Sequence, residues 1–407
     1  METHIFICGA KSVGQYGGYE TFVDKLTQYH QDRTDFHYHI ICKANGAGCM
    51  DESRLSGVEK ISDREFMYHN AHCVKLRVPK IGPAVAVYYD YIALSYCLRY
   101  CKAHHIKNPI FYLLTCRIGP LMRFMKKRVH ALGGVLYDNP DGHEWMRSKW
   151  APPIRKYWKF SEKLTVKHAD LLICDSQFIE CYIRETYASY HPHTTYVAYG
   201  AETAPSPLSD RDERFVGWLS QWRTQPFDYY LAVGRCVPEN NYETILREFM
   251  LSGTRRSLIL ITDLNEGLLR RLEEKLHYSG DPRIRFAGTV YDEALLYKIR
   301  ENAFAYLHGH EVGGTNPSLL EGLAATKLNL LYSVVFNREV GQDAALYWQK
   351  DAGSLRALIE QAERMPETEI EALGWKAKER VAEAYRWQMI ADRYAELWQR
   401  AAEERNP

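Results

Sequence analysis

The sequence predicts an α/β chain with two parallel sheets, and three observations carry that expectation. Short apolar runs alternate with amphipathic helical patterns, the order that folds into a parallel sheet covered on both faces. The alternation occurs twice, on either side of a polar, proline-bearing stretch at residues 204–213. At 407 residues the chain is also too long for one ordinary core.

In the first set, strands are predicted at residues 4–8, 37–42, 71–78, 109–114, 135–138, 171–174 and 195–198. Helical patterns fill the gaps at 21–29, 84–104, 119–131, 153–168 and 177–186. The second set places strands at 229–234, 257–262, 284–287, 303–307 and 328–333, with helices at 242–250, 267–277, 292–301 and 317–325. A final helical stretch, 367–404, carries aromatic residues at Trp375, Tyr385, Tyr394 and Trp398. Two Rossmann-like domains facing across a cleft is the architecture this implies. Their expected limits are 1–205 and 227–384, with a linker at 206–226 and a last helix, 385–407, returning to the first domain.

Composition narrows the class. With 46% apolar and 25% charged residues the chain reads as a soluble globular protein. Residues 1–9 run directly into a strand-like segment, so no signal peptide is expected. The longest apolar-looking stretch, 84–98, is interrupted by Asp90 and too short to span a bilayer. The 10 cysteines form no CxxC pair, and Cys8, Cys116 and Cys174 sit in or beside apolar runs, as free core thiols do. Structural zinc and a disulfide framework are therefore not expected, and a reducing cytoplasm is.

The net charge of +1 conceals an asymmetry. Residues 101–170 hold 14 Lys and Arg against 5 Asp and Glu. The basic residues cluster around Arg123, Lys127 and Arg128, and again around Lys156, Lys159 and Lys163, among Trp145, Trp150, Trp158 and Phe160. Such a mixture suits an anionic membrane surface or a phosphate-bearing partner. It equally fits a solvated helix face with its aromatic residues turned inward. No nucleic-acid partner is expected.

Four segments at predicted strand ends carry chemistry. The richest is 308–321, where a short strand meets the pair Gly313-Gly314 and then a helix with Asn316 as N-cap and Pro317 at its first position. A glycine loop leading into free helix N–H groups is an anion site, and Glu321 lies one turn inside, where a carboxylate could accept sugar hydroxyls. A second segment, 234–242, places Arg235 where it could neutralise a diphosphate. In a third, 139–145, Asp141, His143 and Glu144 could bind hydroxyls or protons. The fourth, 14–20, contains Gly17-Gly18 after the first strand and lacks the G-x-G-x-x-G spacing of a dinucleotide fingerprint. An acidic triplet, Asp210-Arg211-Asp212, lies in the polar stretch and reads as solvated surface, so no metal is expected.

Four spaced motifs in one order resemble a known family. They are Gln15-Tyr16-Gly17-Gly18-Tyr19-Glu20, Asn139-Pro140-Asp141-Gly142-His143-Glu144-Trp145, Val237-Pro238-Glu239-Asn240-Asn241, and Gly313-Gly314-Thr315-Asn316-Pro317-Ser318-Leu319-Leu320-Glu321. The chain is similar to glycosyltransferase family 4, of GT-B fold. Within it, the chain most resembles the bacterial β-1,4-L-rhamnosyltransferases of capsule and cell-wall polysaccharide synthesis.

The resemblance implies a retaining transfer of L-rhamnose from dTDP-L-rhamnose to a sugar carried on a polyprenyl diphosphate. It implies no cofactor, a cytoplasmic enzyme, and peripheral attachment to the inner face of the plasma membrane. Donor contacts would come from Gly17, Gly18, Arg235 and Asn240 on two loops. Others would come from His310, Gly313, Gly314, Thr315, Asn316, Ser318 and Glu321 on the richest segment. Tyr16, Asp141, His143 and Glu144 would meet the acceptor, with Asp141, His143 and Arg235 as the catalytic set.

Two departures from the broad family stand out. The first of its two glutamates falls on Gly313, with Glu311 two residues early, and its usual lysine falls on Asn240. Other readings are a family 4 transferase using a UDP- or GDP-sugar, a non-catalytic sugar-nucleotide module, or a GT-B-type epimerase.

Overall fold

The computed structural model describes residues 2–15, 17–147 and 149–404 and divides into two units. Unit 1 comprises Met1–Trp145, Ala151–Tyr199 and Trp387–Pro407, and unit 2 comprises Met146–Trp150 and Gly200–Arg386.

Unit 1 opens with β1 (Thr3–Cys8), α1 (Gly18–Tyr29) and β2 (Phe36–Lys43). A hairpin of β3 (Glu59–Lys60) and β4 (Glu65–Tyr68) then leads to β5 (Ala71–Leu76) and the long α2 (Val85–Ala103). The alternation continues through β6 (Ile110–Leu113), α3 (Gly119–His130), β7 (Val135–Asp138), α4 (Pro152–His168), β8 (Leu171–Cys174), α5 (Gln177–Thr186) and β9 (Thr194–Tyr196). The sheet order is β3-β4-β5-β2-β1-β6-β7-β8-β9, parallel except for the hairpin at one edge. Strands β6 and β7 are buried at every position, as both-face-covered parallel strands must be. The hairpin escapes the sequence pattern because Glu59–Lys60 is two exposed polar residues, too short to show a period.

Unit 2 begins with α6 (Glu213–Gln221) and β10 (Tyr229–Val233), followed by α7 (Tyr242–Met250), β11 (Ser257–Ile261), α8 (Glu266–Leu276), β12 (Ile284–Gly288) and α9 (Glu293–Glu301). Next come β13 (Ala305–His308), α10 (Pro317–Ala325), β14 (Asn329–Tyr332), α11 (Val335–Gly341), β15 (Leu346–Trp348), α12 (Ser354–Ala362) and α13 (Glu367–Ala384). Its six strands are all parallel, in the order β12-β11-β10-β13-β14-β15. In both sheets the order reverses beside the first strand of the unit. Open α/β sheets bind ligands at that reversal, outside the C-terminal strand ends.

Two stretches differ from expectation. Within 206–226, where the sequence suggests a linker, Asp212 caps α6, and Phe215 and Trp218 pack beside Tyr229 and Ile299 of unit 2. Phe215, Trp218, Leu219 and Trp222 recur at i, i+3, i+4 and i+7 and supply the apolar stripe of that helix inside a polar segment. Residues Asp210 and Asp212 of the acidic triplet pair with Lys298 and Arg214. The stretch 367–404 is two helices, not one. The chain breaks at Tyr385, whose carbonyl accepts Ala201 N–H at 2.8 Å within unit 2, and α14 (Trp387–Glu403) then joins unit 1. There Trp398, 0% exposed, donates its indole N–H to Tyr38 Oη at 2.9 Å, and His30 links Tyr38 to Ala391 O.

Trp158 is buried and Lys159 is drawn onto Glu162 at 3.0 Å, so part of the basic aromatic stretch serves the core. The ten cysteines are free thiols. Among the described residues no helix is long and apolar enough to cross a membrane.

Unit 1 buries His30, His39 and His143. His39 bonds His4 at 3.0 Å and His72 at 3.4 Å, and burial presses its pKa down to about 2; burial likewise takes His30 to about 4. Above the unfolded value of 6.5 neither state gains a proton, so these groups leave stability independent of pH. As pH falls below 6.5 the unfolded chain protonates first, and each neutral imidazole forfeits about 1.4 kcal/mol per pH unit down to its folded value. The melting temperature should therefore be flat between pH 7 and 8 and fall steadily from pH 6.5 to 5. A scan showing no decline over that range would contradict the buried neutral assignment.

Candidate active site

In unit 2 the loops after β10 and β13 lie against each other because glycines allow it. A Cβ on Gly309 would collide with Asn240 O, and one on Gly234 would stand 3.0 Å from His310 Cε1. Asn241 Nδ2 ties the loops together through Gly309 O at 2.7 Å. Arg235 is pinned by its backbone, whose carbonyl accepts Asn240 Nδ2 at 2.7 Å and Val237 N–H at 2.9 Å. Its side chain is exposed and forms no ion pair among the described residues. Asn240 is buried and spends its amide on the loop.

His308 and His310 stack with ring centroids 4.4 Å apart. Tyr306 Oη lies 2.8 Å from Ser318 Oγ and 3.3 Å from His308 Nδ1, and both hydroxyls reach Val233 O, Ser318 Oγ at 3.0 Å and Tyr306 Oη at 3.4 Å. Neither His308 Nε2 nor His310 Nδ1 has a hydrogen-bond partner among the described residues. Burial, with Arg235 and Arg147 nearby, pushes His310 down to about 3, so the pair is neutral at ordinary pH. Arg147 comes from the Met146–Trp150 segment of unit 2.

The loop before α10 departs in one respect from an open helix end. Asn316 Oδ1 already accepts the Ser318 and Leu319 N–H groups at 2.9 and 3.4 Å, so the amides expected to be free there are capped. Ser318's hydroxyl is likewise taken by Tyr306 and Val233. Gly313 holds φ +144°, and a Cβ there would meet nothing within 4 Å, whereas Gly314 and Thr315 are buried. Glu311 is held by Lys350 and Asn241.

Glu321 on α10 pairs with the buried Arg300 of α9 at 2.5 Å, with its own side chain 33% exposed. Glu321→Gln should therefore cost about 1 kcal/mol of stability through the weakened Arg300 pair, and, if the carboxylate also holds the donor as the resemblance implies, should lower nucleotide affinity by about tenfold. Calorimetric titration with nucleotide beside a melting curve separates the two. A stability loss with intact affinity would make the carboxylate purely structural.

In unit 1 the corresponding strand ends gather a denser set. Gly17 precedes Gly18, the first residue of α1, at φ +157°, and Glu20 lies close enough that a side chain at 17 would strike it. Tyr16 falls outside the described residues. After β7, Asp141 and His143 both take left-handed φ, +57° and +51°, and Asp141 N–H folds onto Asn139 Oδ1 at 2.9 Å. Asp141 and Glu144 are half-buried. His143 is enclosed by Tyr182, Trp145 and Phe178, ring centroids 4.2 to 5.8 Å away, and burial lowers its pKa.

Sequence reasoning missed several neighbours. Arg117, in the loop after β6, forms a buried pair with Asp90 at 3.2 Å. Asp138 is fully buried, and desolvation raises its carboxyl well above the usual range. Tyr19 and Tyr199 bring hydroxyls near Asp141 and Asp175, and burial pushes both phenols up. The signal that could have found Arg117 is its place just past a strand, the same rule that found Arg235. Among the described residues no group of three or more His, Cys, Asp or Glu is placed to hold a metal ion.

Residues 2–202 match a family model described as a domain of unknown function (DUF1972). Comparison with curated proteins finds no match. Solved structures resemble the whole chain. Sucrose-phosphate synthase from Thermosynechococcus elongatus is 14% identical with a TM-score of 0.73, covering 99% of this chain and 100% of that one. HepE of Anabaena, in complex with UDP, is 12% identical at TM-score 0.66, covering 98% and 99%. The UDP-forming α,α-trehalose-phosphate synthase from Burkholderia xenovorans, in complex with glucose-6-phosphate, is 10% identical at 0.71, covering 98% and 100%. The chain has the GT-B fold of these glycosyltransferases.

Proposed function

We propose that the chain is a retaining glycosyltransferase that moves L-rhamnose from dTDP-L-rhamnose to a sugar carried on a polyprenyl diphosphate, in bacterial surface-polysaccharide synthesis. The observation that carries the transferase reading is Arg235, an exposed guanidinium without an ion pair among the described residues, at the order reversal of the unit 2 sheet. Beside it stand two neutral imidazoles with unused ring nitrogens and a glycine loop before a helix. Cation, hydroxyl-binding groups and close backbone suit a nucleoside diphosphate sugar. UDP and glucose-6-phosphate, bound by structures of the same fold, support that substrate class. Rhamnose and dTDP rest on the four motifs of the sequence.

In this reading Arg235 neutralises the diphosphate and Glu321 takes the ribose hydroxyls. The acceptor hydroxyl attacks the anomeric carbon on the side the phosphate leaves. As the carbon–phosphate oxygen bond breaks and the new glycosidic bond forms, the hydroxyl proton passes to the departing phosphate oxygen. Catalysis is then chiefly positioning and charge stabilisation, with Asp141 and His143 shaping the acceptor's place. A thermal-shift series with dTDP-L-rhamnose, UDP-sugars and GDP-sugars tests donor choice, since a ligand of the native state raises its melting temperature. A shift confined to UDP- or GDP-sugars would transfer the assignment to another donor.

The membrane surface enters through α3 and α4, which touch where Gly119 N–H meets Ser161 Oγ at 2.8 Å. Phe124 and Phe160 are 55% and 53% exposed there, among exposed Arg123, Lys127, Lys156 and Lys163. Of the aromatic residues the sequence sets among these cations, Trp158 is buried and Phe160 is exposed, and Phe124 joins it on the exposed face. Each exposed cation near anionic lipid contributes about 1 kcal/mol. Sedimentation with phosphatidylglycerol vesicles should fall with salt and vanish when Lys127, Lys156 and Lys163 become Glu. Equal binding to neutral vesicles, or none to either, would return this face to ordinary solvated surface.

A further inference from the structure

Lys43 is the last residue of β2, beside the order reversal at β1, and is only 7% exposed. A buried ammonium ordinarily sits against a carboxylate, because losing its hydration is otherwise uncompensated. Lys43 has no such partner among the described residues. Its Nζ donates once, to Ala47 O at 3.1 Å, leaving two N–H groups.

More positive charge surrounds it. Lys43 N–H bonds Lys11 O at 2.7 Å, which fixes the two lysines side by side. Arg117 reaches the same strand ends, with Nη1 3.2 Å from Gly9 O. Burial first, then Lys11 and Arg117, lower the Lys43 pKa. The opposing acids are already engaged: Asp90 by Arg117 at 3.2 Å, and Glu20 by the Lys11 backbone N–H at 3.0 Å. The loop over both lysines turns on Gly46 and Gly48, at φ +84° and +69°, and a Cβ on Gly48 would stand 3.0 Å from Lys11 Cδ. The result is a cluster of cations in which Asp90 answers Arg117, while Lys43 is left without a carboxylate partner among the described residues.

We infer that Lys11, Lys43 and Arg117 form an anion site in unit 1 that takes the phosphate of a phosphorylated ligand. The ligand's identity rests on the glycosyltransferase reading: it is the acceptor, held by its phosphate ester or diphosphate. The site is additional to the donor diphosphate site at Arg235.

The test is calorimetric titration of the full chain with inorganic diphosphate and with glucose 6-phosphate, under saturating dTDP. The wild type should bind one or both. Diphosphate binding more tightly marks a lipid-diphosphate acceptor, and the reverse marks a sugar monophosphate. Lys43→Met should weaken binding at least tenfold, leave dTDP affinity unchanged, and melt no lower than wild type, since an unpaired buried charge is gone. Lys11→Met, at an exposed position, should weaken it severalfold and decides the matter should Lys43→Met fail to fold. Undiminished phosphate binding in Lys11→Met and Lys43→Met overturns the site, as does wild-type binding that dTDP abolishes. Failure to bind dTDP or any nucleotide sugar counts against the transferase reading alone and leaves the lysine comparison intact.

Discussion

Arg235→Ala is expected to reduce kcat/KM with dTDP-L-rhamnose by roughly thirtyfold to several thousandfold, equivalent to about 2–5 kcal/mol of lost transition-state stabilisation. The guanidinium is exposed and unpaired, so its removal should leave the melting temperature unchanged. The loop would keep its shape, because Asn240 Nδ2 and Val237 N–H hold the Arg235 carbonyl, not the side chain. Binding and turnover should weaken together, since the charge on the leaving diphosphate grows through the reaction. Arg235→Lys should recover part of the loss but not the bidentate geometry. Unchanged kinetics in Arg235→Ala would remove this residue from the site.

Trp398→Ala should be the most damaging single change to stability, by about 3–5 kcal/mol. Its ring is fully buried in unit 1 against Tyr112, Tyr137 and Tyr394, with centroids 5.5 to 6.2 Å away. The change also strips Tyr38 Oη of its indole donor, leaving the His30–Tyr38 link incomplete. Denaturant melts should show the loss as a lower midpoint. A change below about 1 kcal/mol would mean that α14 docks through its other residues, chiefly Ile390 and Tyr394.

The core of both sheets was legible because buried parallel strands read as continuous apolar runs. Tyr229–Val233 and Ser257–Ile261 are buried at every position, and their expected limits differ by one residue from those observed. Short elements were not legible. Leu346–Trp348 spans three residues and gains its burial from tertiary packing, which no local period records. Helix α6 was missed because its polar surroundings outweighed Phe215 and Trp218.

At the candidate site, the strand-end rule located Arg235, Asp141 and the 308–321 segment. Asn316 is the N-cap the sequence predicts, but the same cap occupies the Ser318 and Leu319 amides that the anion-site reading leaves free, because capping and anion binding use the same N–H groups. The strand-end rule could not rank Lys43 or Arg117. What sets them apart is burial and the absence or presence of a partner carboxylate, and both are facts of the folded state.

The central claim is transfer of a sugar from a nucleotide donor, and product analysis tests it most directly. The purified chain would be incubated with dTDP-L-rhamnose and a glycolipid acceptor bearing a diphosphate, and the products resolved by mass spectrometry. The account predicts an acceptor heavier by one deoxyhexose, formed together with dTDP and with anomeric configuration retained. An altered free sugar or nucleotide sugar with no glycosylated acceptor would contradict it in favour of an epimerase. A bound but unaltered donor, across the dTDP-, UDP- and GDP-sugars, would contradict it in favour of a binding module.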